Sequence, residues 1–169
     1  MEIDEGLEVE YCSDMIFDFS EFLDQQLNVD CRLILLDDNH TQFHCHRIIL
    51  SSASGFFQNV FTSGMEEEKT ADVKITCNPL NLFPEVLKFL YTSIIDINDD
   101  NIMAIFEIAY FYNIQILEEK IKDIMASKDS SKIMEYTKFC YENELKDSLD
   151  FLIPYMAFYY KEIPINVFS

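Results

Sequence analysis

The sequence predicts an α+β domain, in which helices surround a small, mainly three-stranded sheet, followed by a C-terminal helical pair. Strand and helix patterns are interleaved over roughly the first hundred residues, and only helical patterns follow. Hydrophobic residues make up 49% of the chain, which supplies a core and argues against disorder. Only three glycines and four prolines occur in 169 residues, so long elements joined by short loops are expected.

The first half of the chain contains most of the strand patterns. Its predicted elements are a strand at 7–12, a helix from Ser13 or Asp14 to Leu27, a hairpin of strands at 29–36 and 41–46, and one helix at 47–62 that ends near Gly64. A run of charged residues at 66–69 then predicts a solvated link.

The second half is predicted to be mostly helical. Its elements are a strand at 73–77, a helix at 82–91, a short strand at 94–97, and helices at 102–112, 117–125, 131–142 and 145–161. Pro84 fits the first turn of its helix, and Asp99 or Asp100 is expected to cap the next one. Pro154 should kink or interrupt the last helix.

The charge balance is strongly acidic, with 12 basic against 31 acidic residues and a net charge of −19. Such a surface repels nucleic-acid phosphates and anionic membranes, so neither partner is expected. It either attracts basic proteins or simply keeps the chain soluble. Five cysteines without a C-x-x-C pair, and a sequence without a secretion signal or an apolar membrane span, favour a cytoplasmic or nuclear location.

Candidate chemistry is confined to the stretch His40, His44, Cys45 and His46. His44 and His46 would share one face of a strand, but a structural zinc site needs four ligands and no second pair is evident. We therefore expect neither a metal nor another cofactor. The serines at 51, 52 and 54 are typical of helix capping, which leaves a hydrolase built on His46 as a minor alternative. The chain is predicted not to be an enzyme.

A set of residues in the first half has the order and spacing of a known family. Asp30 precedes the apolar strand 33–35, and Phe43 lies three residues before His46-Arg47. The same pattern continues with Leu50, Ser54, Phe57 and Phe61, then Phe83, Leu87, Leu90, Tyr91 and Thr92, then Ile95, Ile97, Asn101, Ala109, Ile114 and Leu117. From about Phe19 to Ala126 the chain resembles the BTB/POZ domain, and this resemblance implies that fold. We interpret Asp30, Phe43, His46 and Phe57 as structural core residues, hydrogen-bonded where they are polar and buried.

Two further matches indicate the cullin-3 adaptor branch of that family, the BTB-BACK or Kelch-like type. Met65-Glu66-Glu67 follows Phe61 at the interval that BTB adaptors of cullin-3 ubiquitin ligases use to dock on the cullin. Residues 130–161 resemble the start of a BACK segment, the helical pair called the three-box. The matching residues there are Tyr136, Cys140, Leu145, Leu149, Leu152 and Ile153, whereas Pro154 departs from the pattern. The expected domains are therefore 1–127 and 128–169.

The resemblance implies a homodimer that binds the cullin-3 N-terminal domain and recruits protein substrates to an E3 ubiquitin ligase. The cullin-binding residues carried over from the family are Phe61, Met65, Glu67, Tyr112, Asn113 and Gln115. The expected dimer interface consists of Leu7, Val9, Met15, Phe19, Phe22 and Leu23, with the strand at 7–11 swapped onto the partner.

Two alternatives within the family stay open at this point. One is a BTB dimerisation module that recruits transcriptional corepressors and has no ligase activity, although the basic DNA-binding segments usual for that role are not seen here. The other is a monomeric adaptor similar to elongin C or to the small adaptor of cullin-1 ligases. Those adaptors lack the long first helix and the F-x-x-H core.

Overall fold

A computed structural model describes residues 18–36, 41–64 and 66–159 of the chain. The predicted strand at 7–12, the start of the first helix, the turn at 37–40 and Met65 lie outside the described residues. The strands are β1 (Cys31–Leu35), β2 (Gln42–Cys45) and β3 (Asp72–Ile75). The helices are α1 (Ser20–Asp24), α2 (Arg47–Ala53), α3 (Gly55–Thr62), α4 (Glu66–Thr70), α5 (Phe83–Thr92), α6 (Ile102–Phe111), α7 (Gln115–Ala126), α8 (Ser130–Glu142) and α9 (Lys146–Tyr159).

The sheet has the order β2-β1-β3, with β1 antiparallel to β2 and parallel to β3. The predicted hairpin is therefore confirmed. The side chains of Cys31, Leu33 and Leu35 are buried and alternate with half-buried neighbours, as expected for a strand with one face on the core. On the other face, Arg32 pairs with Asp72 of β3 through two hydrogen bonds and lowers the pKa of that carboxyl group.

Helix α6 is the centre of the molecule, because every residue from Ile102 to Ala109 is buried. A helix that is apolar on all sides must be covered on all sides. Helices α5, α7, α8 and α9 pack around α6, so the C-terminal pair α8–α9 shares one core with the sheet-containing part. These observations confirm the predicted α+β architecture with a C-terminal helical pair.

The predicted single helix at 47–62 is wrong, since Ser54 interrupts it. The backbone of Ser54 is extended, with φ −140° and ψ 122°, and its Oγ accepts a hydrogen bond from Phe57 N at 3.2 Å. Ser54 is thus the N-cap of α3, a role for which serine competes well because its side chain satisfies a free backbone N–H group.

Several smaller expectations are also corrected. The charged link at 66–69 forms α4, and α1 ends at Asp24, where a turn over residues 25–28 follows. Ile94, Ile95 and Ile97 lie in a loop, where Ile95 and Ile97 pack on the core without forming a strand. The N-cap of α6 is Asn101, and its side chain bonds to Asn98 N and Asp96 O. Strand β3 ends before Cys77. Pro154 is exposed and does not interrupt α9, whereas the alternative expectation of a kink there stays a prediction.

Candidate protein-docking surfaces

An exposed aromatic pair lies on α1, where the sequence predicts a dimer interface. The side chains of Phe19 and Phe22 are 38% and 40% exposed, and their rings meet edge to face at 6.2 Å. Leu23 is half-buried against the core. We call Phe19, Phe22 and Leu23 the α1 face. The other predicted interface residues, Leu7, Val9 and Met15, lie outside the described residues.

His46 and Tyr91 hold the α1 face in place. The Tyr91 hydroxyl accepts a hydrogen bond from His46 N and contacts His46 Nδ1, both at 3.0 Å. The other ring nitrogen, Nε2, bonds to the carbonyl oxygen of Leu27. Because a carbonyl only accepts, Nε2 carries the proton, and Nδ1 accepts from the Tyr91 hydroxyl. Phe19 N donates to Tyr91 O at 2.9 Å, so both ends of the α1 segment are fastened.

The other predicted core residues differ in their burial. Phe57 is fully buried, and Phe43 is half-buried against the core. Asp30 is exposed, so its placement in the core is wrong. It has a structural role nonetheless, since its Oδ1 accepts from Arg47 N at 2.7 Å and thereby caps the first turn of α2.

The turn between α6 and α7 is fastened to the start of α3. Ser54 Oγ donates to the carbonyl oxygen of Tyr112 at 2.5 Å, and Gly55 N donates to that of Asn113 at 3.0 Å. Asn113 has φ +50°, a left-handed conformation that asparagine tolerates better than most residues. A Cβ atom on Gly55 would lie 2.3 Å from Asn113 Nδ2, so a larger residue at this position would displace the Asn113 side chain.

Two of the residues predicted to bind the cullin lie inside the domain. Tyr112 is fully buried, its ring is parallel to that of Phe57 with 5.8 Å between centroids, and its hydroxyl accepts from Cys77 N at 3.0 Å. Burial raises the pKa of Tyr112 to about 12. Phe61 is 7% exposed, stacks on Phe57 and lies beneath the Arg47 guanidinium group. In the folded chain both side chains are therefore packed inside the domain, and their part in docking stays a prediction.

The exposed part of this region includes residues that the sequence reasoning missed. Asn113 and Gln115 are exposed as predicted, but so are Phe111, at 43%, and Ile116, at 70%. We call these four residues the turn face. Ile116 could have been recognised, because it is an apolar residue that lies off the buried stripe of α7, formed by Leu117, Ile121 and Met125.

Of the remaining predicted docking residues, Glu67 is half-buried on α4, and Met65 lies outside the described residues. Phe61 is near the end of α3, just before them. The stacked rings of Phe61, Phe57 and Tyr112 connect that end of α3 with the turn face.

A family model with the description BTB/POZ domain matches residues 19–129, which is well over half of the chain. The chain belongs to the BTB/POZ domain family. Among its curated relatives, Kelch-like protein 41 of Mus musculus is 34% identical over 94 residues, or 56% of this chain and 15% of that protein. Kelch repeat and BTB domain-containing protein 2 of Pongo abelii is 23% identical over 146 residues, or 84% of this chain and 23% of that protein.

A third relative of this BTB/POZ chain, Kelch-like protein 40b of Danio rerio, is 33% identical over 89 residues, which are 53% of this chain and 14% of that protein. The chain thus spans less than a quarter of the length of these relatives. The family match ends at residue 129, immediately before α8 begins. The resemblance to Kelch-like BTB proteins that the sequence motifs indicated is confirmed.

The described part of this BTB/POZ domain offers little to a metal or a nucleophilic mechanism. Within residues 18–36, 41–64 and 66–159, no three His, Cys, Asp or Glu side chains come together in a way that could hold a metal ion. Cys31, Cys45, Cys77 and Cys140 are free thiols, and burial raises the pKa of each to about 12, so thiolate is scarce at neutral pH. None of the described helices is long and apolar enough to cross a membrane.

Proposed function

We propose that this BTB/POZ chain is a homodimeric, non-catalytic adaptor that binds the N-terminal domain of cullin-3 and brings protein substrates to an E3 ubiquitin ligase. The observation that supports it best is the turn face, an exposed apolar surface in a turn that Ser54 and Gly55 fix in position. Its Kelch-like relatives support the assignment at the level of the family. That the chain serves a protein substrate is likewise part of the proposal, because the chain matches only part of the length of those relatives.

The turn face has the composition of a small docking site. Burial of a large apolar side chain such as Ile116 or Phe111 contributes about 1.5–3 kcal/mol. Asn113 and Gln115 beside them supply hydrogen-bonding groups at the rim. Because the turn is fixed before binding, little conformational entropy is lost when a partner docks.

Calorimetric titration with the cullin-3 N-terminal domain tests the proposal. Ile116→Ala and Met65→Ala should each weaken binding about tenfold or more, since about 1.4 kcal/mol corresponds to a factor of ten. Glu67→Ala should also weaken binding, because charged acceptors contribute about 1.5–3 kcal/mol, whereas Glu66→Ala removes only a rim charge and should have little effect. Melting curves of the same variants separate a docking role from a packing role. Wild-type affinity in all four variants would contradict the proposal.

Gly55→Ala tests whether the fixed turn matters for binding. The added methyl group would collide with Asn113 Nδ2, so the Asn113 side chain, which is part of the turn face, must move while the other residues of that face keep their identity. We expect weaker cullin-3 binding together with a modest loss of stability. Gln58→Ala, at an exposed position of the same helix, is the matched control and should leave binding unchanged. Equal affinity of the two variants would show that the position of the turn is unimportant.

The homodimer is tested separately by light scattering. The proposed interface includes the α1 face, where two large aromatic rings are each about two-fifths exposed. The unmodified chain should give twice the monomer mass, and Phe22→Glu should shift it toward the monomer because a charge would then be buried in the interface. If the unmodified chain stayed monomeric at tens of micromolar, the proposed homodimer would be ruled out.

A further inference from the structure

A cavity of about 410 Å³ lies where the sheet meets the C-terminal helical pair. Leu36, Ile75 and Leu145 form an apolar wall, and Cys77, Asn78 and Glu107 contribute polar groups. These residues come from the end of β1, the end of β3, helix α6 and the residue before α9. The cavity is distinct from the residues of the turn face, and a ligand bound there would be independent of cullin binding.

Glu107 is the functional group of this cavity. Its side chain is 9% exposed, and its Oε2 accepts two hydrogen bonds from Ser148, from N and from Oγ, each at 2.8 Å. Its other oxygen, Oε1, accepts none from the residues that the structure describes. Every fully buried side-chain nitrogen or oxygen in the described part of the chain has a partner, so Oε1 is not completely buried, and Glu107 lines the cavity. A mostly buried carboxylate therefore retains a free acceptor oxygen.

The electrostatic surroundings favour a cation at that oxygen. The cavity lining contains no lysine or arginine. Burial is the main cause that raises the pKa of Cys77 to about 12, and the nearby negative charges of Glu107 and Asp147 contribute to the rise. The chain as a whole carries a net charge of −19, which attracts basic partners from a distance.

We propose that this cavity binds an arginine side chain from a protein partner. The guanidinium group would pair with Glu107 Oε1, and the methylene stem would lie along Leu36, Ile75 and Leu145. Arginine fits better than lysine because its planar group carries several fixed donors while its stem covers apolar surface. A segment of a protein is favoured over a free cation, since Leu36 at the cavity is 56% exposed and offers apolar contact to the flanking residues.

A short peptide and its uncharged analogue test the proposal. The probes are acetyl-Leu-Arg-Leu-amide and the same peptide with citrulline in place of arginine, titrated into the intact chain and followed by amide chemical shifts. The arginine peptide should shift resonances of Leu36, Cys77 and Leu145, and its affinity should fall with added salt. The citrulline peptide should bind at least about tenfold more weakly, as expected when a charged hydrogen bond is lost.

Glu107→Gln is the matching change in the protein. Glutamine keeps an oxygen that can accept from Ser148 but removes the charge, so the arginine peptide should lose about tenfold or more in affinity. Glu119→Gln, at an exposed position on α7, makes the same change in net charge and should leave binding unaltered. Leu36→Lys places a cation at the cavity without touching Ser148, so it should also abolish binding. This variant serves as the test if Glu107→Gln proves unstable. Absence of binding to the unmodified chain, or equal binding to all three variants, would overturn the proposal.

Discussion

Two connections between distant parts of this chain are made by different forces. The turn at Tyr112–Asn113 is joined to α3 by neutral hydrogen bonds from Ser54 and Gly55 and by aromatic packing. The C-terminal pair α8–α9 is joined to the rest partly by charged groups at Asp99 and Glu107. Neutral contacts in a dry core respond little to salt or pH, whereas exposed ion pairs respond to both.

The turn connection is built around Tyr112. Its ring contacts Phe56, Phe57, Phe83 and Phe111, with centroid separations between 4.9 and 5.8 Å. Aromatic pairs at such separations contribute about 0.5–1.5 kcal/mol each beyond the burial of their area. The residues that position the turn face thus belong to the aromatic part of the hydrophobic core.

The connection to α8 centres on Asp99, in the loop before α6. Its two oxygens lie 2.9 Å from Lys128 Nζ and from Lys132 Nζ, and the Tyr136 hydroxyl donates to Oδ1. Further along, Phe106 of α6 stacks on Phe151 of α9 at 4.1 Å. The C-terminal pair therefore rests on an apolar contact supplemented by an exposed charged cluster.

The largest effect is expected for Phe57→Ala, which breaks the neutral connection. The ring is fully buried and stacks on both Phe61 and Tyr112, so its loss should lower the free energy of unfolding by about 3–5 kcal/mol. The loss should be the same at low and at high salt, as measured by urea denaturation. Tyr141→Ala, at a position that is 77% exposed, is the control and should change stability by less than about 0.5 kcal/mol. A strong salt dependence of the stability loss in Phe57→Ala would contradict the view that the turn connection depends on neutral contacts.

The contrast also explains how much of the fold was predictable from the sequence. Apolar periodicity placed β1, α5 and the C-terminal pair correctly, since each buries one face against the same core. It failed at Ser54, because the residues on both sides are apolar at helical spacing; Ser54 caps α3 through Phe57 N and also donates to the carbonyl oxygen of Tyr112, 58 residues away. Periodicity contains no information on contacts of that range.

The same limit applies to the candidate site. Family motifs located the turn region but did not distinguish buried Tyr112 from exposed Ile116. Asp99 or Asp100 was expected to cap α6, whereas Asp99 binds Lys128, Lys132 and Tyr136. A cap is a local signal and an ion pair across 29 residues is not. The sequence therefore predicted elements well, and partners of polar residues poorly.

A smaller effect is expected for Ser148→Ala, which acts on the buried part of the C-terminal connection. The Ser148 hydroxyl donates to Glu107 Oε2 at 2.8 Å, and its removal leaves a mostly buried carboxylate with one bond fewer. Such a loss costs about 1–3 kcal/mol, as measured by urea denaturation. Ser131→Ala, exposed on α8, is the control. When Glu107→Gln is also present, Ser148→Ala should lower the free energy of unfolding by less, because the carboxylate charge is already gone. An undiminished loss of stability would show that packing at Ser148, and not the carboxylate, is responsible.

The smallest effect is expected for Asp99→Asn, and its dependence on pH is more informative than its size. Hydrogen bonds from Tyr136, Lys128 and Lys132 lower the pKa of the Asp99 carboxyl group in the folded chain. A carboxyl group with a lowered folded pKa stabilises the fold above its unfolded pKa, about 3.9, and that contribution is lost as the pH falls toward the folded value. The variant should therefore have a lower melting temperature than the unmodified chain at pH 7. This difference in melting temperature should become smaller from about pH 4 downward.

Added salt should reduce the same difference in melting temperature at neutral pH, because the ion pairs of Asp99 with Lys128 and Lys132 are partly exposed. Asp150→Asn, exposed on α9, removes an equal charge and should show no difference of this kind. The difference in melting temperature between Phe57→Ala and the unmodified chain, measured in parallel, should stay constant across the same conditions. If the difference for Asp99→Asn persisted unchanged from neutral pH to pH 2, the carboxylate charge would not be what joins the loop before α6 to α8. The C-terminal pair would then depend on apolar contacts such as that between Phe106 and Phe151, and the two connections would be of one kind.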